Sequence, residues 1–294
     1  MTERSSFNQV LLDSIASDSL CFDGLTWTMF SRGPLIAAYP NFPIGLTRET
    51  AELLLSMGPA LAALRAREVD LVRLSAPSDS APVPEQGAVL LPETRIEDLQ
   101  NWSASELSSQ MRRKFRKARL AGLEVQSATG KDAEALHGMY VQTVQRHRTK
   151  PRYSLEYFRC LCLEATRNAD VIVAKAMMAE DIAGFIALRL DKNVAYYLHG
   201  AYSDEFSRIR PGFFTMEWAI QHCQSLGMRE FNFLTSPRNQ PALRKFKESF
   251  GGSSDLRAHW DRALSWSGSA AVLAIKARGL KERLQASATK STSA

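Results

Sequence analysis

Residues 171–202 read VIVAKAMMAEDIAGFIALRLDKNVAYYLHGAY, the most informative stretch of the chain. Three apolar runs follow one another here almost without pause, and the polar breaks between them have the length of hairpin turns. The pattern predicts three antiparallel strands over Val171 to Met177, Ile182 to Leu190 and Val194 to Tyr202. We therefore expect a meander of consecutive strands at the centre of the fold.

Helical periodicity surrounds this meander. A basic helix beginning near Ser105 has an apolar face and ends at Gly122. The other elements predicted by the same reasoning are strands over Leu123 to Gln126, Phe231 to Leu234 and Asp255 to Leu264, and helices over Lys131 to His147, Ser154 to Thr166, Pro211 to Leu226 and Asn239 to Phe250.

The first third of the chain predicts a smaller α/β unit. Strands are expected over Cys21 to Phe30, Leu35 to Tyr39 and Val69 to Leu74, with a helix over Thr47 to Arg67. The Pro- and Ser-rich segment Ser75 to Gln86 is typical of a linker. We therefore predict domains at residues 1–86 and 87–266, followed by a basic, disordered tail at 267–294.

Composition restricts the classes of function. The chain of 294 residues has 45% hydrophobic residues, and no apolar run approaches the roughly 18 residues of a membrane span. We expect a cytoplasmic protein, at most peripheral to the inner membrane. Four scattered cysteines predict neither a disulfide framework nor a metal site. A formal net charge of +6 favours anionic partners.

Several local sequences resemble the FemAB-like branch of the GNAT acyltransferase superfamily. They are the basic helix ending in Lys117-Ala118 before Gly122, the strand Ala195-Tyr-Tyr-Leu-His-Gly-Ala-Tyr202, Pro211-Gly212, Phe231-Asn-Phe233 after Gly227, and Phe246-Lys-Glu-Ser-Phe-Gly-Gly252. The resemblance covers residues 88 to 260. It implies an α/β (α+β) fold with a mixed, mostly antiparallel sheet flanked by helices, and an incomplete GNAT-like unit before it.

The resemblance also implies a donor site. In GNAT enzymes the acyl thioester lies where the fourth and fifth strands of the sheet separate, and the phosphates of its carrier bind the next helix N-terminus. Free N–H groups and the helix dipole favour anions at such a position. The matching segment predicts carrier contacts from Arg208, Arg210, Gly212, Phe213, Phe214 and Thr215. An ordinary strand-to-helix turn with solvated arginines is the alternative.

Acylation of an amine requires a group that accepts a proton and donors that stabilise an oxyanion. Backbone N–H groups of Leu198 to Ala201 are candidate donors. His199 is the first candidate base, on a strand face expected to carry Ala195, Tyr197 and Ala201 as well. Tyr197 and Glu217 are further catalytic candidates. Each of the three has an alternative role in packing or in helix stabilisation.

Two polar residues of the last elements complete the predicted site. By the resemblance, Lys247 reaches the gap between the strands and neutralises a phosphate or the oxyanion; a solvated helix lysine is the alternative. Asn232 is expected to point away from its aromatic neighbours and to contact substrate.

The sequence thus predicts a bacterial N-acyltransferase without a permanently bound cofactor or metal. Its donor is acyl-CoA or an acyl carrier protein, and its acceptor is a sugar amine, an amino acid or a lipid amine such as a sphingoid base. The basic helix is interpreted as a solvated face, a site for an acidic carrier or acceptor, or a contact with an anionic membrane. Nucleic acid is the least favoured partner. Aminoacyl transfer from tRNA to a cell-wall precursor and a non-catalytic GNAT scaffold stay open as alternatives.

Overall fold

The computed structural model describes residues 6–22, 25–52, 58–80, 83–84, 87–147 and 149–277. The chain divides into two compact units, one of residues 1–15 and 91–257 and the other of residues 16–90 and 258–294. None of the helices in these described ranges has the length and hydropathy needed to cross a membrane.

Helices and strands follow one another along the chain in a mixed order. They are α1 (Ser6–Ser14), β1 (Asp18–Phe22), β2 (Leu25–Arg32), β3 (Leu35–Pro40), α2 (Arg48–Ala51), α3 (Gly58–Arg65), β4 (Leu71–Pro77), β5 (Val89–Ile96), α4 (Ser109–Leu120), β6 (Glu124–Ser127), α5 (Ala133–Arg146), α6 (Leu155–Ala165), β7 (Val171–Met178), β8 (Asp181–Asp191), β9 (Val194–Tyr202), α7 (Pro211–Ser225), β10 (Glu230–Thr235), α8 (Pro241–Glu248) and β11 (Ser253–Ala263). Residues 266–277 are also helical.

The sheet of the larger unit confirms the predicted meander. Its strands lie in the order β5-β10-β9-β8-β7-β6, and the first residues of β11 lie beside β5. The pairs β6–β7, β7–β8, β8–β9 and β10–β5 are antiparallel, whereas β9 and β10 are parallel. The predicted mixed, mostly antiparallel sheet is therefore confirmed.

Helices cover both faces of this sheet. Ile186 and Leu188 of β8 share one buried cluster with Met216 of α7 and Phe115 of α4. On the opposite face, the Phe185 ring lies 5.9 Å from that of Phe158 on α6. Consecutive residues of a strand point to opposite faces, so the middle of β8, which is apolar over residues 182–188, is buried between two helical layers.

The smaller unit has its own sheet and core. The strands β1, β2, β3 and β4 are neighbours in that order, and the last residues of β11 lie beside β4. Trp27 and Met29 of β2 are buried in its core together with Leu74 of β4. One prediction was wrong here: the strand expected over Cys21 to Phe30 is a pair, because β1 and β2 form an antiparallel hairpin.

The boundaries of the units differ from those predicted at residues 86 and 266. Helix α1 packs on α6 and belongs to the larger unit, and the chain returns after Arg257 to complete the smaller one. The return is fixed by a bidentate ion pair of Arg73 with Asp261 and by a hydrogen bond that the Ser265 hydroxyl donates to the Asp70 carboxylate. Such long-range contacts leave no local signal in the sequence. The predicted tail is helical up to residue 277, and its remainder lies outside the described residues.

Candidate active site

Strands β9 and β10 separate after a short paired segment. Their register joins only three positions, the last of which pairs Asn232 with Tyr196. From Tyr197 to Tyr202, no residue of β9 has a partner on β10. The N–H and C=O groups that β9 directs toward β10 therefore face a gap, where a bound molecule could contact them.

A bulge in β9 changes the direction of its side chains beside this gap. Ala187 pairs with His199 and Leu188 pairs with Tyr197, so Leu198 is an extra residue without a partner on β8. Residues that pair across antiparallel strands share a face. His199 therefore lies on the face of Ala187, and Tyr197 lies on the opposite face with Leu188. The prediction that His199 and Tyr197 share a face was wrong because strict alternation does not hold across a bulge.

A second irregularity lies at the end of β10. One extra residue between Asn232 and Thr235 shifts the register with β5, and Leu234 adopts a left-handed conformation with φ of 58°. The Asn232 side chain accepts a hydrogen bond of 2.8 Å from the Leu234 N–H group. The Lys247 ammonium group donates hydrogen bonds of 3.0 Å each to the carbonyl oxygens of Leu234 and Thr235. Both side chains thus hold the end of β10 in its irregular course.

A cavity of about 320 Å³ occupies the space beside β9. Its walls come from β8 and β9, from the turn before α7 and the first residues of α7, from the end of α5, and from α8. Apolar side chains such as Phe213, Met216 and Phe246 supply much of the surface. The size and the apolar lining are typical of small-molecule sites.

The N-terminus of α7 lies at this cavity. Arg210 precedes the helix in a left-handed conformation with φ of 64°, and Pro211 occupies the first helical position. Phe213 and Phe214 donate their N–H groups to the Arg210 carbonyl oxygen. Among the described residues nothing accepts the Gly212 N–H, which stays available to an anion together with the exposed, unpaired Arg210 guanidinium.

Tyr197 is a catalytic candidate that the structure places in the cavity wall. Gly200 lies directly beside it: a Cβ atom at Gly200 would lie 2.5 Å from the Tyr197 hydroxyl oxygen. Burial raises the pKa of Tyr197 above its ordinary value. The phenol therefore stays protonated near neutrality and can serve as a hydrogen-bond donor in the cavity.

His199 does not line the cavity. Its Nε2 atom lies 2.8 Å from the Tyr157 hydroxyl oxygen. The rings of Tyr140, Tyr153, Tyr157 and Phe158 surround it at centroid distances of 4.7 to 5.9 Å. Burial lowers the pKa of His199 to about 3, so the imidazole is neutral and a weak base at neutral pH. The geometry supports a packing role in the aromatic cluster against α5 and α6.

The other predicted residues divide between the cavity and its surroundings. Arg210, Gly212, Phe213 and Thr215 line it, and their contact with a carrier stays a prediction. The remaining predicted residues, which do not line it, are Arg208, Phe214, Glu217, Asn232 and Lys247. Phe214 packs instead on a small apolar cluster with Leu123.

Glu217 serves to join two helices. Its carboxylate is 3% exposed and accepts a bidentate ion pair from Arg119 of α4. Burial raises the pKa of the Glu217 carboxyl, and the bonds from Arg119 offset part of that rise. The pair fixes α4 against α7 and so supports the cavity from outside.

Sequence reasoning missed several residues of the cavity wall. The most important are Thr143 and His147 at the end of α5, Tyr202 at the end of β9, and Leu243 on α8. Tyr202 ends the family-like strand that begins at Ala195, whereas His147 follows an ordinary amphipathic helix. Only the packing of α5 on β9 brings His147 to the cavity, so the local sequence carries no signal for it.

Comparison with known proteins agrees with this geometry. Residues 105–248 match the family described as an acetyltransferase (GNAT) domain. The chain carries a GNAT domain. This GNAT domain includes α4 to α8 with β6 to β10, and therefore the whole described wall of the cavity. The chain is accordingly an acyltransferase, as the sequence predicted.

Solved structures extend the likeness to most of the chain. The crystal structure of FemX has a TM-score of 0.63 at 11% sequence identity, covering 87% of this chain and 90% of FemX. The C-terminal domain of a protein described as a lysylphosphatidylglycerol synthetase, from Agrobacterium fabrum, has a TM-score of 0.57 at 15% identity, covering 93% of this chain and 90% of that domain.

A third structure, that of L-PGS from Bacillus licheniformis, has a TM-score of 0.57 at 13% identity, with 87% of each chain covered. No curated protein matches the sequence. At these identities the structures show the fold, which is that of the FemAB-like GNAT branch, and the resemblance stated from the sequence is confirmed.

The Lys247 site generates a pH-dependent prediction. Burial lowers the pKa of Lys247 from 10.5 to about 7, and the charge of Glu93 opposes this shift. Between about pH 7 and pH 10 the folded lysine is largely neutral while the unfolded lysine is charged, so unfolding takes up a proton. The free energy of unfolding should therefore rise with pH by up to about 1.4 kcal/mol per unit in the native protein relative to Lys247→Met.

Urea unfolding at pH 7, 8, 9 and 10 measures this difference. Lys245→Met is the matched control, because it removes an exposed lysine of the same helix. Parallel pH profiles for the native protein and Lys247→Met would show that the buried lysine does not titrate in this range.

Proposed function

We propose that this protein is an N-acyltransferase that moves an acyl group from a pantetheine thioester to an amine. One observation carries the proposal: strands β9 and β10 separate beside a cavity that the N-terminus of α7 borders. The GNAT domain supplies the acyltransferase class, and this geometry supports a specific way of binding the donor.

The lining of the cavity suits a thioester donor. Phe213, Met216 and Phe246 offer an apolar surface to the acyl chain and the pantetheine arm. At the border of the cavity, we assign the phosphates of the carrier to the Gly212 N–H group and the Arg210 guanidinium, because free N–H groups and a positive charge there favour anions. Coenzyme A and a carrier protein share this phosphopantetheine, so both are donors in the proposal.

The reaction follows from the groups in the wall. The amine nitrogen attacks the thioester carbonyl carbon, a C–N bond forms, and the developing oxyanion accepts hydrogen bonds from unpaired β9 N–H groups. The C–S bond then breaks, and the leaving thiolate accepts a hydrogen bond from the protonated Tyr197 hydroxyl. His147, which lines the described wall of the cavity, accepts the proton that the amine loses and passes it through solvent to the thiolate.

A second candidate function is aminoacyl transfer from tRNA. The fold similarity to FemX and to the protein described as a lysylphosphatidylglycerol synthetase favours it over other group transfers. In both candidate functions, the gap between β9 and β10 would hold the activated carbonyl group of the donor. A screen of donors separates them, since each candidate predicts a different ligand.

Donor binding should raise the stability of the folded protein. A ligand at one hundred times its dissociation constant stabilises by about 2.7 kcal/mol, which is a shift of several degrees for a chain of this size. We expect CoA thioesters to shift the melting temperature of the native protein. Ala242→Trp should abolish the shift, because Ala242 lines the cavity at an exposed position where a larger side chain narrows it.

Differential scanning fluorimetry with CoA, acetyl-CoA, palmitoyl-CoA and a charged tRNA makes the measurement. Ala62→Trp is the control, since Ala62 is an exposed alanine of α3 outside the cavity. A shift with charged tRNA and with none of the thioesters would support the second candidate and contradict the first. Equal thioester shifts in native protein and Ala242→Trp would exclude this cavity as the donor site.

The two histidines should behave differently when they are replaced. Loss of a general base slows turnover by roughly 100- to 10,000-fold, and we expect this of His147→Gln. His199→Gln should lower the melting temperature by removing a contact with Tyr157, while kcat changes only a few-fold. Steady-state kinetics and thermal melts of both variants test this. A large loss of kcat in His199→Gln with full activity in His147→Gln would reverse the assignment.

A further inference from the structure

The basic residues of α4 fall into two groups with different surroundings. Three of them are engaged within the protein: Arg112 donates to backbone carbonyl oxygens that precede the helix, the Lys114 ammonium lies 4.6 Å from the centroid of the Phe213 ring, and Arg119 pairs with Glu217. These three residues anchor α4. They leave the exposed side of the helix to the second group.

The second group shares one shallow groove. Arg113, Arg116 and Lys117 are exposed, and no residue in the described ranges forms an ion pair with any of them. The groove has a volume of about 420 Å³ and also includes Ile209 and Leu120. Like charges at neighbouring positions of a helix repel one another, so a bound anionic group would stabilise this surface.

Leu120 adds an exposed apolar side chain to the groove. Its side chain is 81% exposed, although it lies between basic residues at the end of an amphipathic helix. An exposed apolar residue surrounded by charges is the arrangement of a protein-binding surface, in which the apolar contact contributes affinity and the charges contribute specificity and rate of association. It does not resemble a nucleic-acid site, because the groove offers bases no aromatic side chain for stacking.

The groove and the cavity are lined in part by the same segment of the chain. Ile209 lines the groove and the next residue, Arg210, lines the cavity. Consecutive Cα atoms are about 3.8 Å apart, so a molecule seated in the groove lies within reach of the phosphate site. A partner that binds here can therefore extend a flexible arm past Arg210 into the space between β9 and α8.

We propose that this groove is the docking surface for an acidic helix of a carrier protein, which delivers the acyl group on its phosphopantetheine arm. The inference rests on the proposed thioester-dependent function and identifies the donor as protein-bound. Charge complementarity favours an acidic partner, the exposed leucine favours a folded protein surface, and the position of the groove favours a partner that carries the arm. A membrane surface would need a broader apolar face than Leu120 and Ile209 provide.

Direct binding tests the docking surface without requiring turnover. Fluorescence anisotropy measures the dissociation constant of a labelled acidic acyl carrier protein, in its phosphopantetheinylated form, for the full chain. We expect Arg113→Glu/Lys117→Glu to weaken binding at least tenfold, and Leu120→Ser to weaken it several-fold. The matched controls are Lys131→Glu/Arg167→Glu, which makes the same change in net charge at exposed sites elsewhere, and Leu163→Ser, at another exposed leucine.

The outcomes separate the two proposals. Failure of the native protein to bind the carrier protein, or equal weakening by the controls, would overturn the docking surface. The docking surface would also be overturned if the groove variants lost binding to vesicles of anionic phospholipid, or to tRNA, but still bound the carrier protein. Transfer assays with the same acyl group on CoA and on the carrier protein report on the chemistry: no transfer from either donor would contradict the proposed function, whatever the anisotropy shows.

Discussion

The separation of β10 from β9 depends on one residue in a strained backbone conformation. Leu234 has a positive φ, which an L-residue with a large side chain adopts only when its surroundings enforce it. The Asn232 side chain accepts a hydrogen bond from the Leu234 N–H group, and the buried Lys247 ammonium donates one to the Leu234 carbonyl oxygen. Both backbone polar groups of Leu234 are therefore bonded to partners outside β9. Desolvation of a lysine opposes this arrangement, as its lowered pKa indicates. Because Lys247 is on α8, the same interaction fixes that helix beside the opening.

The chemistry that we propose follows from the opening. Unpaired N–H groups of β9 face a cavity that Tyr197 and His147 also line, and the N-terminus of α7, which we propose as the phosphate site, lies on its border. The bulge at Leu198 assigns opposite faces to two neighbouring polar residues, so that Tyr197 meets the cavity while His199 packs among aromatic rings. Outside the cavity, the ion pair of Glu217 with Arg119 holds the basic helix against α7. The groove that we propose as a docking surface lies on the exposed side of this same helix.

The sequence predicts those parts of the molecule that local pattern determines. The three apolar runs from Val171 to Tyr202, with short polar breaks between them, define three strands, and Pro211 and Gly227 mark the helix that follows them. Predictions were wrong or could not be made where a long-range contact determines the position of a side chain. The face of His199 depends on a bulge that exists only through pairing with β8, and the entry of His147 into the cavity depends on helix packing. The roles of Asn232 and Lys247 in holding β10 depend on the course of a strand end that no periodicity describes.

The central claim is that the fork between β9 and β10 holds the thioester carbonyl of the donor. A crystal structure of the chain with a ketone analogue of acetyl-CoA, in which a methylene group separates the sulfur from the carbonyl carbon, tests this most directly. The account predicts a pantetheine arm between β9 and α8, a carbonyl oxygen within hydrogen-bond distance of a β9 N–H group near Gly200, and phosphate beside Arg210. An arm bound elsewhere, with β9 and β10 paired along their full length, would contradict it.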